Sequence, residues 1–235
     1  MQGIGFRVSF RWQSATSLRL ADALAAYPTA NIADNRNRTG CMSACIRPVN
    51  KRIKTFAGLA LTVKTRAGDN LMVHKALDMA APGDVVVIDA GGDLSNAILG
   101  ELILLHAKSK GIRGIVVDGA IRDYTAISEG DLPVYAKGIT ANGPYKDGPG
   151  EVNFPISCGG VTVCPGDIIV GDADSVLVIS PEEAQETLDK SERTAQKEEQ
   201  IMELYKRGNA PDRGWVDKLL RDKGCAFIYE SDTNG

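Results

Sequence analysis

Three charged residues have the types and spacing to act on a small anion: Glu101, then, after twenty intervening residues, Arg122 and Asp123 side by side. An arginine keeps its charge at every working pH and grips a carboxylate or phosphate with two parallel N–H donors. An aspartate beside it, if the chain is still extended, points to the opposite side. One carboxylate plus waters is a common way to hold Mg²⁺, with the substrate completing the shell. The pair therefore reads as an anion clamp beside a metal ligand, against the plainer reading of a surface Arg and Asp in a loop. Glu101, on the preceding helix, is either an ordinary solvated surface residue or one that reaches a metal-bound water from the helix side.

The segment around them explains how such residues meet. "DVVVID" (84–89) is a short β-branched run of the kind buried in a parallel sheet, followed by the glycine turn "AGGD" (90–93). Residues 95–110 place Ile98, Leu102 and Leu105 on one helical face, with Glu101 at its edge and Gly111 as C-cap. "GIVVD" (114–118) is the second buried strand. Strand, helix, strand with short joints predicts a parallel pair with a right-handed crossover. Ligands bind at the carboxyl ends of such strands, where Gly91 and Gly92 would let one approach the backbone.

Residues 1–16 read as an extension, and 17–235 as a single domain. "SLRLADALAAYPTANIAD" predicts a helix ended by Pro28, "AGLALTV" (57–63) a strand, and "DNLMVHKALDMAAPG" a helix capped by Asp69 or Asn70. His74 on that helix is either satisfied locally or a contact of the site. "LPVYA" (132–136), "EVNFPIS" (151–157), "GVTV" (160–163), "DIIVGD" (167–172) and "SVLVIS" (175–180) predict a second, largely antiparallel sheet. "SPEE", with Ser180 as N-cap, opens a C-terminal helix over about 181–206. Its apolar positions, Ala184, Leu188, Ala195, Ile201 and Leu204, are too sparse for a core element, so it should cross the surface or lie on another subunit. The expected fold class is α/β.

Composition excludes several functions. With 235 residues, 43% hydrophobic, and a net charge of −3, the chain suits one large soluble domain with no basic footprint for nucleic acid or an anionic membrane. No apolar run is long enough to span a bilayer and none resembles a signal peptide, so the cytoplasm is the default expectation. Five cysteines without CxxC spacing and only two histidines, His74 and His106, argue against a zinc cage. A metal here would take oxygen ligands, as Mg²⁺ or Mn²⁺ does. The "AGGD" loop lacks the spacing of a nucleotide-binding loop.

Glu101-x20-Arg122-Asp123 resembles the Asp-x20-Arg-Asp motif of the class II 4-hydroxy-4-methyl-2-oxoglutarate aldolases, whose RraA-like family also includes the regulator of ribonuclease activity A. "AYPTANIAD", "GDNLMVHKALDMAAPGDVVVIDAGGDLSNAILGEL", "VVDGAIRD", "GPYKDGPGEVNFPI" and "PGDIIVGDADSVLVI" resemble this family's blocks in order, over roughly residues 20 to 205. Glu101 stands where the aldolases often carry Asp.

The resemblance implies a three-layer β/β/α swivelling-domain fold, assembled as a homotrimer or a hexamer with active sites between subunits. It implies that Asp123 coordinates Mg²⁺ or Mn²⁺ and that Glu101 holds a metal water. Arg122 would bind the pyruvyl group, assisted by backbone N–H groups from Gly100 through Glu101 and Leu102 to Ile103. Lys146 and His74 would lie near the substrate, and Glu198 of a neighbouring subunit's C-terminal helix would serve catalysis. The implied reaction is retro-aldol cleavage of a 4-hydroxy-2-oxo acid to pyruvate, with oxaloacetate decarboxylation as a side activity. A regulator that binds a ribonuclease on the same fold is the alternative.

Overall fold

The run that ends at Asp89 becomes the axis of a mixed sheet in the computed structural model, which describes residues 5–11 and 13–228. Chain order begins β1 (Phe6–Val8), α1 (Ala15–Leu24), α2 (Thr29–Asp34), β2 (Arg47–Pro48), β3 (Phe56–Thr65), α3 (Leu71–Met79), β4 (Asp84–Asp89) and β5 (Ala97–Leu99). It continues α4 (Glu101–Ser109), β6 (Gly114–Ile121), α5 (Tyr124–Glu129), β7 (Val134–Ile139), β8 (Gly150–Val152), β9 (Ile156–Cys158) and β10 (Val161–Val163). It closes with β11 (Ile168–Gly171), β12 (Val176–Ile179), α6 (Ala184–Lys206) and α7 (Gly214–Asp222).

The sheet runs β1-β8-β3-β4-β6-β7-β2, and β3, β4, β6 and β7 are parallel. Strict alternation along the strands divides the interior. Val86, Ile88, Ile115 and Val117 pack under α3 and α4. Val85, Val87 and Val116 face the other way, against β9, β10 and one side of β11 and β12. The outer side of β11 and β12, through Ile168, Val170, Leu177 and Ile179, is covered by α1, α2 and the start of α6. The β/β/α layering expected from the sequence is therefore present, with two short helices closing its outer face.

Several local readings change. Residues 97–99 pair with β6 as a short strand, so the crossover helix starts only at Glu101. Its buried residues are Leu104 and Ala107, while Leu102 and Leu105 are 80% and 57% exposed, so the expected core face was misplaced. The strand at 132–136 joins the parallel sheet beside β6 rather than an antiparallel one. Residues 151–157 split into β8 and β9, with Asn153 in the left-handed region at φ 60° between them. β11 pairs antiparallel with β12 and also with the first half of β3, while β9 and β10 form a separate two-stranded sheet. The C-terminal helix begins at Ala184, after a turn over 181–183.

Part of the segment read as an extension is tied down. β1 runs parallel to β8, and Asp84 accepts from Arg11 Nη2 at 2.5 Å and Gln13 Nε2 at 2.7 Å. The chain forms two compact units, the second starting at Ala195. That unit holds the distal part of α6 and all of α7, which buries none of its residues. Among the described residues no helix is long and apolar enough to cross a membrane.

Phe56, at the start of β3, is gripped between Gly114 and Gly171, where an added Cβ would come within 2.5 Å of the ring at each position. Gly114→Ala should therefore lower the unfolding free energy by about 1–3 kcal/mol through overpacking. Urea denaturation measures this, and an unchanged midpoint would contradict so tight a fit.

Candidate functional site

β6 delivers Arg122 and Asp123 to the sheet's carboxyl edge, where the Arg122 backbone N–H donates to Leu99 O at 3.0 Å. Asp123 then adopts φ 57°, ψ 42°, a left-handed conformation that costs a non-glycine residue about 1–2 kcal/mol. Its backbone starts α5, accepting from the Ile127 N–H at 3.1 Å, while its side chain turns away toward α4. Oδ2 there accepts the first free N–H of that helix, from Glu101, at 3.0 Å. A carboxylate is favoured at a helix N-terminus by the unpaired N–H groups and the helix dipole.

This contact exists because residue 100 is glycine: a Cβ there would collide with Asp123 Oδ2 and sit 3.0 Å from Arg122 Cγ. The expectation that the pair diverges assumed an extended chain. The left-handed turn instead brings both side chains into one cleft, with Arg122 Nε 3.8 Å from Asp123 Oδ2 and each side chain 43% exposed.

The facing wall is organised by Asp69, which is completely buried. Its Oδ1 accepts from the Leu71 N–H at 2.9 Å, at the start of α3, and its Oδ2 from the Asp147 and Gly148 N–H groups at 2.7 and 2.9 Å. One carboxylate thus fastens the helix carrying His74 to the loop carrying Lys146. Burial opposes its ionisation, but three N–H donors and the nearby Arg66 outweigh that and hold it below the usual carboxylate range. His74 is pushed below its ordinary value by desolvation and by the nearby Lys146 ammonium and His106, with Asp78 opposing.

Between these walls lies a cleft of about 260 Å³. It gathers Gly100, Leu102, Ile103, Arg122, Asp123, His74 and Lys146, all singled out from the sequence, with Gly143 and Pro144. Glu101 contributes its backbone N–H to Asp123, but its side chain is exposed and borders the adjoining hollow between α4 and α5. Glu198 lies on α6 in the second unit. Gly91 and Gly92 do not line the cleft. Their N–H groups are engaged by Asp89 Oδ1 and Asp118 O, each at 3.0 Å. The sequence offered Asp69 and Asn70 only as alternative helix caps, with no sign that Asn70 lines the cleft.

No group of three or more His, Cys, Asp or Glu among the described residues forms a cation cage. The donor set at Asp123 is one carboxylate on an open cleft. That fits a hard, largely hydrated ion such as Mg²⁺ or Mn²⁺ and not a closed zinc site.

Comparison with known proteins decides the family. The RraA-like model, described as Aldolase/RraA, matches residues 29–178, from the start of α2 into β12. The chain belongs to the RraA-like family. It is 40% identical over 193 residues, 82% of this chain and 91% of the relative, to a Halalkalibacterium halodurans protein provisionally named 4-hydroxy-4-methyl-2-oxoglutarate aldolase. Among solved RraA-like structures, an RNA-processing inhibitor from Thermus thermophilis is 31% identical, with TM-score 0.60 over 65% of this chain and 92% of that one. A Streptomyces coelicolor structure, described as an unusual member of the RNase ES inhibitor RraA family, is 26% identical, with TM-score 0.69 over 80% and 97%.

The lowered Asp69 pKa gives a signed prediction. Its stabilising effect is full above the unfolded value, about 3.9, and is lost as pH falls through the folded value. Asp69→Asn should be less stable than wild type at pH 7, with the gap in urea midpoints closing below about pH 4. A gap that stays constant with pH would contradict the role given to this carboxylate.

Proposed function

We propose that the protein is a divalent-metal-dependent lyase that cleaves 4-hydroxy-2-oxo acids to pyruvate. The carrying observation is the pairing of Arg122 with Asp123 in one cleft, the carboxylate fixed against α4 and the guanidinium left to meet an anion. Similarity to a relative provisionally named as an aldolase supports the same reading.

The chain's own groups divide the work. Arg122 binds the C1 carboxylate and C2 oxygen of the oxo acid, and of the N–H groups at the start of α4 that of Leu102 is the one to help it, since Glu101 and Ile103 donate to Asp123 Oδ2 and Gly100 O. Lys146 and His74, on the opposite wall, receive the far end, where a second carboxylate would sit. When the C4 hydroxyl gives its proton to a base, the C3–C4 bond breaks. C4 leaves as a carbonyl, and the electron pair moves into an enolate whose charge lies largely on the C2 oxygen. Arg122 faces that oxygen, and the later protonation of C3 gives pyruvate. Mg²⁺ or Mn²⁺ held by Asp123, with Glu101 on one of its waters, would supply a Lewis acid for the same charge. Loss of CO₂ from oxaloacetate passes through the same enolate and is the expected side activity.

A homotrimer or hexamer, in which a second copy brings Glu198 to hold the water that serves as base, belongs to this reading. Its support is the family resemblance and the sparse apolar positions of α6. A ribonuclease-binding regulator is the second reading, favoured by the likeness to the Thermus RNA-processing inhibitor.

The test is pyruvate release from 4-hydroxy-4-methyl-2-oxoglutarate and from oxaloacetate, with Mg²⁺ and with EDTA. Turnover should require the metal. Arg122→Ala should lose about 10²–10³-fold in kcat, and Asp123→Ala should lose both activity and metal dependence. Full activity in Asp123→Ala would remove the metal assignment. No turnover on either acid, together with specific binding of a ribonuclease, would favour the regulator.

A further inference from the structure

Two glycines press on the Arg122 side chain at different points. Along its stem, a Cβ added at Gly100 would sit 3.0 Å from Cγ and 3.1 Å from Nε. At its forked end, a Cβ added at Gly143 would come 2.9 Å from Nη1 and 3.9 Å from Cζ. Apart from the 3.8 Å approach to Asp123, the guanidinium makes no hydrogen bond or ion pair among the described residues. Contact rather than hydrogen bonding therefore limits where its forked end can lie.

The main chain does not require glycine at 143. Its φ is outside the left-handed region, and it precedes Pro144, a place that favours an extended conformation open to any residue. What is required there is space. The loop that borders the guanidinium is also anchored on both sides of Gly143. Asn96 Nδ2 donates to Gly143 O at 2.7 Å, and Asn142 Nδ2 donates to Ser95 O at 2.9 Å. The Ala97 N–H donates to Asn142 O at 2.8 Å, and the Tyr145 N–H to Gly68 O at 2.8 Å. Tyr145 O in turn accepts the Asn70 N–H at 3.0 Å. A loop so fastened cannot recede from an added methyl group, whereas the end of a long side chain that is 43% exposed can.

We propose that Gly143 is a positioning residue for the reaction: its missing side chain reserves the place of the Arg122 guanidinium, and the anchored loop holds that place beside the substrate's carboxylate. This inference rests on the lyase reading of the cleft. Gly143 acts through Arg122 and takes no part in the chemistry. Misplacing a substrate-binding group by about 1 Å can cost about 10²-fold in rate, so the reserved space matters to the reaction.

The test is a four-way comparison of wild type, Gly143→Ala, Arg122→Lys and the double variant. Gly143→Ala should lower kcat/KM for 4-hydroxy-4-methyl-2-oxoglutarate about 10- to 100-fold and leave the urea midpoint unchanged. A lysine at 122 ends near the position of Cζ, 3.9 Å from the added Cβ, which is ordinary contact. In that background Gly143→Ala should change kcat/KM by less than about twofold. Where Arg122→Lys turns over too slowly to measure, the dissociation constant of pyruvate with Mg²⁺ gives the same comparison. Equal losses in both backgrounds, or a lowered urea midpoint, mean that the loop itself is disturbed, which overturns the positioning role and leaves the lyase standing. Unchanged activity in Gly143→Ala overturns it as well. A wild type inactive on this acid and on oxaloacetate overturns the lyase reading and this role with it.

Discussion

The Asp123 carboxylate lies against the start of α4 because three conditions hold there together. The chain leaves β6 in a left-handed turn that throws the side chain sideways. The helix opposite begins with an N–H that needs an acceptor. The residue before that helix has no Cβ to fill the gap. Each is local, and each fails without the others. The left-handed backbone costs free energy, which the charge-assisted bond to Glu101 offsets. The rest of the fold holds these two ends in register: β5 is a three-residue strand whose pairing with β6 brings Gly100 alongside Arg122.

The second wall follows the same logic with the charge hidden. Asp69 is out of water and accepts three backbone N–H bonds from two segments distant in sequence. A buried carboxylate is tolerable only when so fully engaged. The consequence is a rigid frame on which His74 and Lys146 face Arg122 and Asp123. The frame and the reacting surface use the same residue type for opposite purposes. Asp69 is saturated and inert, while Asp123 keeps an exposed share of its carboxylate for a ligand.

Much of this was legible in the sequence, and the failures have identifiable causes. β4 was placed at both ends because a β-branched run is bounded by Pro-Gly before it and Gly-Gly after it. The charged pair alone was equally readable as a surface loop, and it was the spacing Glu101-x20-Arg122-Asp123, through its family resemblance, that singled it out; the structure brings both side chains to one cleft. The start of α4 was misread because Ile98, Leu102 and Leu105 fit a helical period, and only the pairing of 97–99 with β6 shows otherwise. The direction of β7 depends on its neighbour in space, which local pattern does not encode. Asp69 and Asn70 looked like ordinary caps because an Asp-Asn pair before a helix is the usual capping signal. The partners that distinguish Asp69, Asp147 and Gly148, come 78 and 79 residues later.

The central claim is that this cleft stabilises a pyruvate enolate, and pyruvate alone can test it. Exchange of the pyruvate methyl protons in D₂O, followed by NMR with protein and Mg²⁺, reports enolate formation without any choice of physiological substrate. The account predicts loss of the methyl signal well above the rate with Mg²⁺ alone, and a return toward that rate in Arg122→Ala. Exchange no faster than with Mg²⁺ alone, in a folded protein that binds the metal, would contradict it.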